Sequence, residues 1–358
     1  MNNKILYITK YLEKNSAAGR RHSNIIKNTT ISFDIDLLNF ESSPMKCIII
    51  EKILNKLMVY PDIYRFIMFK YKRQIKKRIF KNHYDFAFIG ILPFSFLSLA
   101  SYIKKINPKI KVIVDMTDPL TANASYFKDT IIHKKFILSF EKKHAKNIDF
   151  LIVLNQEIKD YYRNKYLFLK NIIVLEQGTE PFLNPTIKIK NDKIELIYAG
   201  MFYKKLREPF ILYEAIDQYV GNIRLSVFGT FKKRFLPPLN ERFYYGGMVD
   251  RCYLNDRVAN ADIIVFLDNF FGLQIPGKVL ESLASNKPIL FIYKNEFSPT
   301  FKYVKEYEGV FYTRNDAFEI IKQIENIIKY NFHEYNRDIS KYYWKNLVKN
   351  KFMFNTKN

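Results

Sequence analysis

Short apolar runs alternate with longer helix-like segments along the chain, and this alternation constrains the fold more than any other feature. Continuous apolar strands that alternate with helices are typical of a parallel sheet covered by helices on both faces. The first series of predicted strands covers residues 4–9, 33–40, 86–91, 111–116, 149–155 and 171–177. The pattern therefore predicts an α/β fold for this part of the chain.

The same alternation begins again near residue 194. Its predicted strands cover residues 194–200, 223–229, 242–247, 261–268, 287–292 and 309–313. The stretch between the two series, residues 178–193, contains glycine, proline and polar residues, as expected of a hinge. A chain of 358 residues is also longer than one compact core usually holds. We therefore predict two Rossmann-like domains, one covering residues 1–178 and the other residues 179–337.

The chain carries a large positive charge. Its 58 lysines and arginines outnumber its 35 aspartates and glutamates, for a formal charge of +23. Such an excess attracts nucleic acid, anionic lipid or phosphorylated substrates, and charge alone does not choose among them. A compositional bias toward lysine and asparagine explains the excess equally well. Because the sequence contains no recognised nucleic-acid-binding module, we do not expect a nucleic-acid partner.

Several common catalytic and cofactor motifs are absent from the sequence. It contains neither the glycine-rich dinucleotide motif nor a P-loop, and its 5 histidines are scattered. Cys47 and Cys252 lie far apart, so neither a disulfide framework nor a zinc site is expected, and a cytoplasmic location fits. Asp34 and Asp36 form a D-x-D pair, but in an early strand solvation or contact with a neighbouring helix is a better interpretation than metal binding. We therefore expect no metal and no cofactor.

Residues 86–103 contain no charged residue and have the length of a marginal transmembrane span. Gly90 and Pro93 interrupt this segment, and serines dilute it. We therefore predict a buried strand, a turn at Pro93 and then a helix, rather than a membrane span. The apolar run near the N-terminus is too short for a secretory signal.

Residues 52–82 combine lysines and arginines with aromatic and aliphatic residues, and beyond Pro61 they have the pattern of a basic amphipathic helix. Such a helix can lie on the anionic face of a membrane. It can equally place one apolar stripe on the protein core and expose its other side. The sequence leaves both interpretations open.

The stretch "IPGKVLES" places Pro276, Gly277 and Lys278 directly before a helix-like run. Backbone N–H groups at a helix start, a glycine that admits close approach and a lysine together favour an anion. Glu281 lies one helical turn from Lys278 on the same face, and a carboxylate suits the hydroxyl groups of a ribose. The motif fits a nucleotide-sugar site, and by itself it fits an ordinary helix bearing solvated charges at least as well.

A second cationic loop follows the first strand of the second series. In "YAGMFYKKLREPF", Gly200 ends the strand, and Lys204, Lys205 and Arg207 precede a helix. Loops at the carboxyl ends of strands in open α/β sheets line the ligand crevice, and an arginine there can hold a diphosphate through two hydrogen bonds. Two such loops in one domain favour anion binding over coincidence.

The order and spacing of these motifs resemble those of glycosyltransferases with the GT-B fold, close to the large retaining family 4. The likeness runs nearly end to end and includes "KILYIT" with "AAGRRHSNI", "VIVDMTDP", "IIVLEQGTE", "YAGMFYKKLREPFILYEAI", "ANADIIVFLDN", "IPGKVLESLASNKPILFI" and "YYWKNLVKNKF". The resemblance implies two Rossmann-like domains facing each other across a cleft. It also implies that a C-terminal helix within residues 338–358 crosses back to the first domain.

The resemblance further implies roles for individual residues. The donor-binding set would consist of Gly19, Gly200, Arg207, Gly277, Lys278 and Glu281. In this set Arg207 and Lys278 hold the donor diphosphate, and Glu281 binds the ribose hydroxyl groups. Gly19, in a loop before a helix that starts near Arg20, lies beside the donor phosphates or sugar. Asp118 faces the cleft and positions the acceptor or sugar, which makes it the candidate catalytic residue.

The function implied by the resemblance is that of a hexosyltransferase-like enzyme, retaining and independent of metal. It would move a sugar from a UDP- or GDP-sugar to a lipid-linked or glycan acceptor in bacterial surface polysaccharide synthesis, in the cytoplasm or on the inner face of the membrane. The chain departs from the family pattern at Leu273, where a glutamate that helps to bind the transferred sugar is usual. A protein that binds a nucleotide sugar without transferring it, or isomerises it, is therefore an alternative, and a basic nucleic-acid-binding protein is a weaker one.

Overall fold

The chain folds into two compact units. The structure, a computed structural model, describes residues 3–10, 12, 16–30, 32–40, 61–122, 131–181, 192–330 and 335–351. Residues Met1–Gln177 and Trp344–Asn358 form the first unit, and residues Gly178–Tyr343 form the second. The division therefore falls directly before Gly178, and the segment that rejoins the first unit begins at Trp344 where the sequence suggested residue 338.

Residues 335–343 belong to the second unit because Arg337 ties them to it. The Arg337 side chain is buried, and its guanidinium donates hydrogen bonds to the carbonyl oxygens of Glu308 at 2.6 Å, Leu283 at 3.3 Å and Lys287 at 2.9 Å. These contacts satisfy buried donors and acceptors together, so the segment is anchored before the chain leaves the unit.

The first unit is built on a six-stranded sheet whose neighbouring strands are parallel. Its strands are β1 (Asn3–Thr9), β2 (Phe33–Asn39), β3 (Phe86–Gly90), β4 (Lys111–Asp115), β5 (Phe150–Val153) and β6 (Ile172–Val174), in the order β2-β1-β3-β4-β5-β6. Its first helices are α1 (Ala17–Thr29), α2 (Met68–Lys81), α3 (Ser98–Ile106), α4 (Ile131–Ala145) and α5 (Gln156–Lys165).

The second unit repeats this architecture with another six-stranded parallel sheet. Its strands are β7 (Ile194–Ala199), β8 (Ile223–Phe228), β9 (Phe243–Gly247), β10 (Ile263–Leu267), β11 (Ile289–Tyr293) and β12 (Val310–Arg314), in the order β12-β11-β10-β7-β8-β9. Its helices are α6 (Phe210–Gln218), α7 (Arg251–Ala259), α8 (Lys278–Ala284), α9 (Pro299–Val304) and α10 (Ala317–Lys329). The last helix, α11 (Trp344–Lys351), belongs to the first unit and contacts α1.

Each strand predicted from the sequence is present, within a few residues of its expected ends. The predictions are accurate because the inner strands are buried on both faces and have continuous apolar runs, although the edge strands β2, β9 and β12 are partly exposed. The central residues of β3, β4 and β10 are almost completely inaccessible to solvent. Since all strands within a sheet run in the same direction, their carboxyl ends lie along one edge, where the connecting loops begin.

Residues 86–103 form the predicted strand, turn and helix. Strand β3 is followed by a turn at Pro93, a short 3₁₀ helix over Phe94–Leu97 and then α3. Strand β3 and residues 94–97 are buried in the core of the first unit, which accounts for the lack of charge. Among the described residues, no helix is both long enough and apolar enough to cross a bilayer.

Both residues of the D-x-D pair contact protein groups. Asp34 lies 3.3 Å from the Lys4 ammonium group, and Asp36 accepts hydrogen bonds from Arg78 on α2 and from Tyr84. The structure thus agrees with the prediction that this pair contacts solvent and a neighbouring helix. Within the described part of the chain, no group of three acidic, histidine or cysteine side chains is arranged to hold a metal ion.

A buried histidine makes the first unit sensitive to acid. His22 on α1 is almost completely inaccessible, and its Nδ1 lies 2.8 Å from the hydroxyl of Tyr7. Burial lowers the pKa of His22 from 6.5 to about 4, against the opposing charge of Asp115. Between these two values the unfolded chain binds a proton that the folded chain does not. Stability is therefore complete above about pH 6.5 and falls as the pH approaches 4.

We expect the free energy of unfolding to fall by about 1.6 kcal/mol between pH 6.5 and pH 5 because of His22 alone. The measurement is urea denaturation at several pH values, with the His22→Asn variant as the comparison. The variant should show a shallower dependence on pH because it lacks His22. Some dependence should remain, because burial also lowers the pKa of His144 to about 4. An identical dependence in both proteins would contradict the assignment.

Candidate nucleotide-sugar site

The loops that follow β7 and β10 are joined at the carboxyl edge of the second sheet. Arg207, in the loop after β7, donates from Nη2 to Oδ1 of Asn269 at 2.5 Å. Asn269 follows β10, and the N–H of the next residue, Phe270, donates to the carbonyl oxygen of Leu206 at 2.8 Å. Because these bonds connect neighbouring strand ends, they hold the Arg207 guanidinium in a defined place at the edge of the sheet.

Arg207 is nearly buried, and one of its donors lacks an acceptor. The side chain is only 9% exposed, and its Nε has no hydrogen-bond partner among the described residues. A buried donor without an acceptor costs about 1–3 kcal/mol. Because Nε is itself inaccessible to solvent, a ligand would contact the other nitrogen atoms of the guanidinium.

Behind Arg207 lies a buried carboxylate. Asp268 accepts from the N–H of Asn269 at 2.7 Å and from the hydroxyl of Ser298. Burial raises the pKa of Asp268, while the hydrogen bonds and the positive charge of Arg207 oppose that rise. Asp268 therefore stabilises the loop that carries Asn269, and through Asn269 it supports the orientation of Arg207.

Helix α8 carries the second predicted cation. It begins at Lys278, after Gly277 as its N-cap residue, and the Lys278 ammonium group donates to Oε2 of Glu281 at 2.6 Å. Glu281 therefore lies one turn along the same face, as the spacing predicts. The helix has only 7 residues, and the N–H of Val279 already donates to the carbonyl oxygen of Pro276 at 3.0 Å. The helix terminus therefore offers few free N–H groups, and the positive charge at this end of the helix comes from the Lys278 side chain.

A single cavity of about 230 Å³ brings these side chains together within the second unit. Arg207, Lys278 and Glu281 all line it, although they are far apart in sequence. Its remaining wall is largely apolar and includes Ile197, Leu254, Val258, Ile264 and Phe266, with a second carboxylate from Glu180. A pocket with an apolar wall and a few converging polar groups is the usual form of a small-molecule site.

The cavity also contains Arg251, which the sequence analysis did not single out. Arg251 is the first residue of α7, and its Nη2 lies 3.9 Å from Oε1 of Glu281. Glu281 thus stands between Lys278 and Arg251. Arg207 was identified because it comes soon after the end of a strand. The same reasoning applies to Arg251, which comes soon after the end of β9. The signal was present in the sequence, but no glycine–lysine motif marked it.

Of the glycines that were predicted to bind the donor, Gly200 and Gly277 belong to the second unit. Gly200 follows β7, and its N–H donates to the carbonyl oxygen of Phe228 at 3.0 Å, while its own carbonyl oxygen lies 2.0 Å from where a Cβ on Gly229 would be. Gly200 therefore allows close packing of two loops and does not line the cavity described above. Gly277 is exposed beside the cavity-lining Lys278.

Gly19 and Asp118 belong to the first unit, whereas the cavity is formed by the second. The sequence predicted that the loop continues to Gly19, but α1 begins at Ala17, because the N–H of Gly19 donates to Oγ of the N-cap residue Ser16 at 2.9 Å. Gly19 is therefore a buried helical residue whose N–H is already bonded. Asp118 is half-buried in the loop after β4.

Two units of parallel α/β structure, with converging cations at the carboxyl edge of the second sheet, define the GT-B class of fold. Solved structures confirm this class. A lipopolysaccharide outer core galactosyltransferase in its apo form is 13% identical, with 97% of each chain covered and a TM-score of 0.62. An Anabaena protein, HepE, in complex with UDP and glucose is 11% identical, with 98% of this chain and 96% of that chain covered and a TM-score of 0.59.

The same fold is found in proteins named for a different reaction. A putative UDP-N-acetylglucosamine 2-epimerase from Listeria monocytogenes is 8% identical, with 98% of this chain and 94% of that chain covered and a TM-score of 0.59. A scan against protein-family models and a search of curated proteins each find no match. These likenesses show the fold, and the chemistry has to be argued from the site.

Proposed function

We propose that this protein is a glycosyltransferase that moves a hexose-like sugar from a UDP- or GDP-sugar to a lipid-linked or glycan acceptor. The observation that carries the proposal is the convergence of Arg207, Arg251, Lys278 and Glu281 on one cavity. The cations suit a diphosphate and the carboxylate suits a ribose, so the set matches the two polar parts of a nucleotide sugar. Bacterial surface polysaccharide synthesis is the proposed setting.

The proposed reaction uses the cations of the cavity to stabilise the leaving group. As the bond between sugar and diphosphate breaks, negative charge grows on the diphosphate, and Arg207 and Lys278 lie where this charge can be neutralised. Each such interaction can lower the barrier by a few kcal/mol, which makes a metal ion unnecessary in this proposal. In the retaining reaction that we propose, a diphosphate oxygen accepts the proton of the acceptor hydroxyl.

The roles of the other predicted residues follow from this reaction. Glu281 would accept hydrogen bonds from the ribose hydroxyl groups once the donor displaces one of its two cationic neighbours. Asp118 would position the acceptor or the transferred sugar. Leu273 leaves the sugar without the glutamate usual in family 4, so the sugar would be held by other groups of the loop that follows β10.

An isomerase or a binding protein without transferase activity is the second candidate. Leu273 favours it, because the missing glutamate normally contacts the transferred sugar, and the epimerase-named structural neighbour shows that this fold is not limited to one reaction. An NMR assay of nucleotide sugar with and without candidate acceptors separates the two. Acceptor-dependent release of nucleoside diphosphate supports the transferase, and a new nucleotide-sugar isomer formed without acceptor supports the second candidate.

Screening of UDP-, GDP-, ADP- and CMP-sugars by thermal unfolding tests nucleotide-sugar binding directly. A ligand at a hundredfold excess over its Kd stabilises the folded state by about 2.7 kcal/mol. For a domain of this size we expect the midpoint of the second unit to rise by about 5–10 °C with a UDP- or GDP-sugar. Inorganic sulfate at the same concentration is the control for non-specific anion binding. Stabilisation by none of these sugars would contradict the proposed function.

A further inference from the structure

The exposed side of α2 is unusually rich in aromatic and basic residues. Its apolar stripe, formed by Met68, Tyr71, Ile75 and Ile79, is buried as an ordinary amphipathic helix predicts. Yet apolar side chains also lie on the outside, where Phe69 is 65% and Phe80 is 72% exposed. The core-packing interpretation therefore explains one face of this helix and leaves the opposite face unexplained. Residues 52–60 of the predicted basic segment lie outside the described residues.

A second helix of the first unit has the same character. In α4, Ile131 is 73% and Phe136 is 62% exposed, and Ile132 and Leu138 are exposed as well. Its buried side is formed by other residues, among them Ile137. Helix α4 thus exposes several large apolar side chains in addition to those that it buries.

The exposed apolar residues of both helices are surrounded by positive charge. Residues 66–81 contain no aspartate or glutamate, and the only acidic residue within 131–143, Glu141, is completely buried. The exposed basic residues on α2 include Lys70, Arg73, Lys76 and Lys77, and those on α4 include Lys134, Lys135, Lys142 and Lys143. Within these two described helices, the solvent-facing charge is therefore entirely positive.

The two helices are connected through α3 and lie close to each other. Helix α3 contacts both α2 and α4. The Lys72 ammonium group of α2 lies 5.4 Å from the ring centre of Tyr102 on α3. Burial lowers the pKa of Lys72, and the charge of Lys143 on α4 lowers it further, so these two lysines are near neighbours. The exposed residues within 66–81 and 131–143 are called the α2–α4 surface below.

We propose that the α2–α4 surface binds the headgroup region of a bilayer that contains anionic lipid. Exposed aromatic and aliphatic side chains enter the boundary between headgroups and acyl chains, while lysine and arginine contact lipid phosphates. This proposal does not rest on sugar transfer. It extends the membrane interpretation of residues 52–82 to α4, which the sequence analysis did not connect with a membrane.

Two other occupants fit this surface less well. A nucleic acid would use the positive charge and stack bases on phenylalanine, but Ile131, Ile132 and Leu138 offer no flat ring for stacking. A second copy of this chain would bring two positive surfaces together, and like charges in contact disfavour such an interface. A lipid surface matches both the charge and the aliphatic residues.

Flotation of the full chain with vesicles tests the proposal. Vesicles of phosphatidylcholine alone are compared with vesicles of phosphatidylcholine mixed with phosphatidylglycerol, each at low and at high salt. We expect binding to the mixed vesicles, much weaker binding to phosphatidylcholine alone, and weakening by salt. Equal binding to both compositions, or no binding to either, would overturn the proposal. Retardation of nucleic acid without binding to mixed vesicles would overturn it in favour of a nucleic-acid surface.

Two pairs of substitutions locate the binding surface. Lys76→Gln with Lys77→Gln should weaken binding to the mixed vesicles about 25-fold, since each basic residue near an anionic membrane contributes about fivefold. Phe69→Ser with Phe80→Ser should weaken binding to a similar extent by removing the inserted rings. All four side chains are exposed, so we expect the variants to keep the fold. The midpoint of thermal unfolding of each variant checks this expectation.

Matched controls come from α10 in the second unit. Lys322→Gln with Lys329→Gln removes the same charge, and Phe318→Ser removes a ring that is 71% exposed. We expect these variants to bind mixed vesicles as the unmodified protein does. If they lose as much binding as the α2 variants do, the attraction is a property of net charge and the assigned surface is wrong.

Discussion

Replacing Arg207 by alanine is expected to weaken nucleotide-sugar binding about 100-fold. The guanidinium is held by Asn269 at 2.5 Å and Arg207 lines the cavity, so its remaining N–H groups can form two charge-assisted hydrogen bonds with a diphosphate. Each such bond contributes about 1.5–3 kcal/mol. Lys278→Ala should weaken binding about tenfold, because it removes one such contact.

Isothermal titration calorimetry measures the affinity of both variants for the nucleotide sugar that stabilises the protein. Lys204→Ala is the matched control. Lys204 lies in the same loop as Arg207, but it is exposed and does not line the cavity. We expect the control to bind the donor with nearly unchanged affinity. Unchanged affinity in Lys278→Ala or Arg207→Ala would place the donor site elsewhere in the chain. Equal losses in all three variants would indicate a general effect of charge.

The Glu281→Gln variant separates the contribution of the ribose to the binding affinity from the contribution of the phosphates. The carboxylate now contacts Lys278 at 2.6 Å and lies 3.9 Å from Arg251, so its loss also changes the surroundings of these cations. We expect weaker binding of ribonucleotide donors and almost no change for the 2′-deoxy analogue. A similar loss for both donors would show that Glu281 acts by placing the cations.

Replacing Arg21 by alanine is expected to lower the free energy of unfolding of the first unit by about 3–5 kcal/mol. Arg21 is completely buried and donates to both carboxylate oxygens of Asp115, at 2.8 and 2.9 Å. It also donates to the carbonyl oxygens of Leu175 at 3.0 Å and Glu176 at 2.9 Å. The substitution leaves a buried carboxylate without its cation and two carbonyl groups without a donor.

Chemical denaturation followed separately for the two units measures this effect, since two units need not unfold together. Lys27→Ala is the control, because Lys27 lies on the same helix but is exposed. The double variant Arg21→Met with Asp115→Leu should recover part of the lost stability, because it removes both charges. A loss below about 1 kcal/mol in Arg21→Ala would mean that water reaches the site and replaces the arginine.

The fold could be predicted from the sequence because the inner strands of both sheets are short, apolar and buried on both faces. Residues 111–116 are one example, since four of the five residues of β4 are fully buried and the apolar run leaves no other role for them. Helix ends were less certain. The start of α1 was placed three residues late, because the serine that caps it looked like part of a glycine-containing loop.

The candidate site could be predicted in part. Arg207, Lys278 and Glu281 were found because each follows a predicted strand in a recognisable motif, and the structure places all three on one cavity. Arg251 was missed because no glycine–lysine motif marks it, although it follows a predicted strand as Arg207 does. The pairing of Arg207 with Asn269 was also beyond local sequence, since it joins loops that are separated by 62 residues.

Local chemistry in the sequence thus determined the order of strands and helices, their division into two series, and which loops carry cations. Tertiary structure decided which of those cations meet. Parallel pairing places the ends of β7, β9 and β10 along one edge, and only this arrangement brings Arg207, Arg251 and Lys278 into the same cavity. The physical reason is that burial and hydrogen bonding of distant segments choose the neighbours of a side chain, whereas periodicity reports only whether that side chain lies inside or outside.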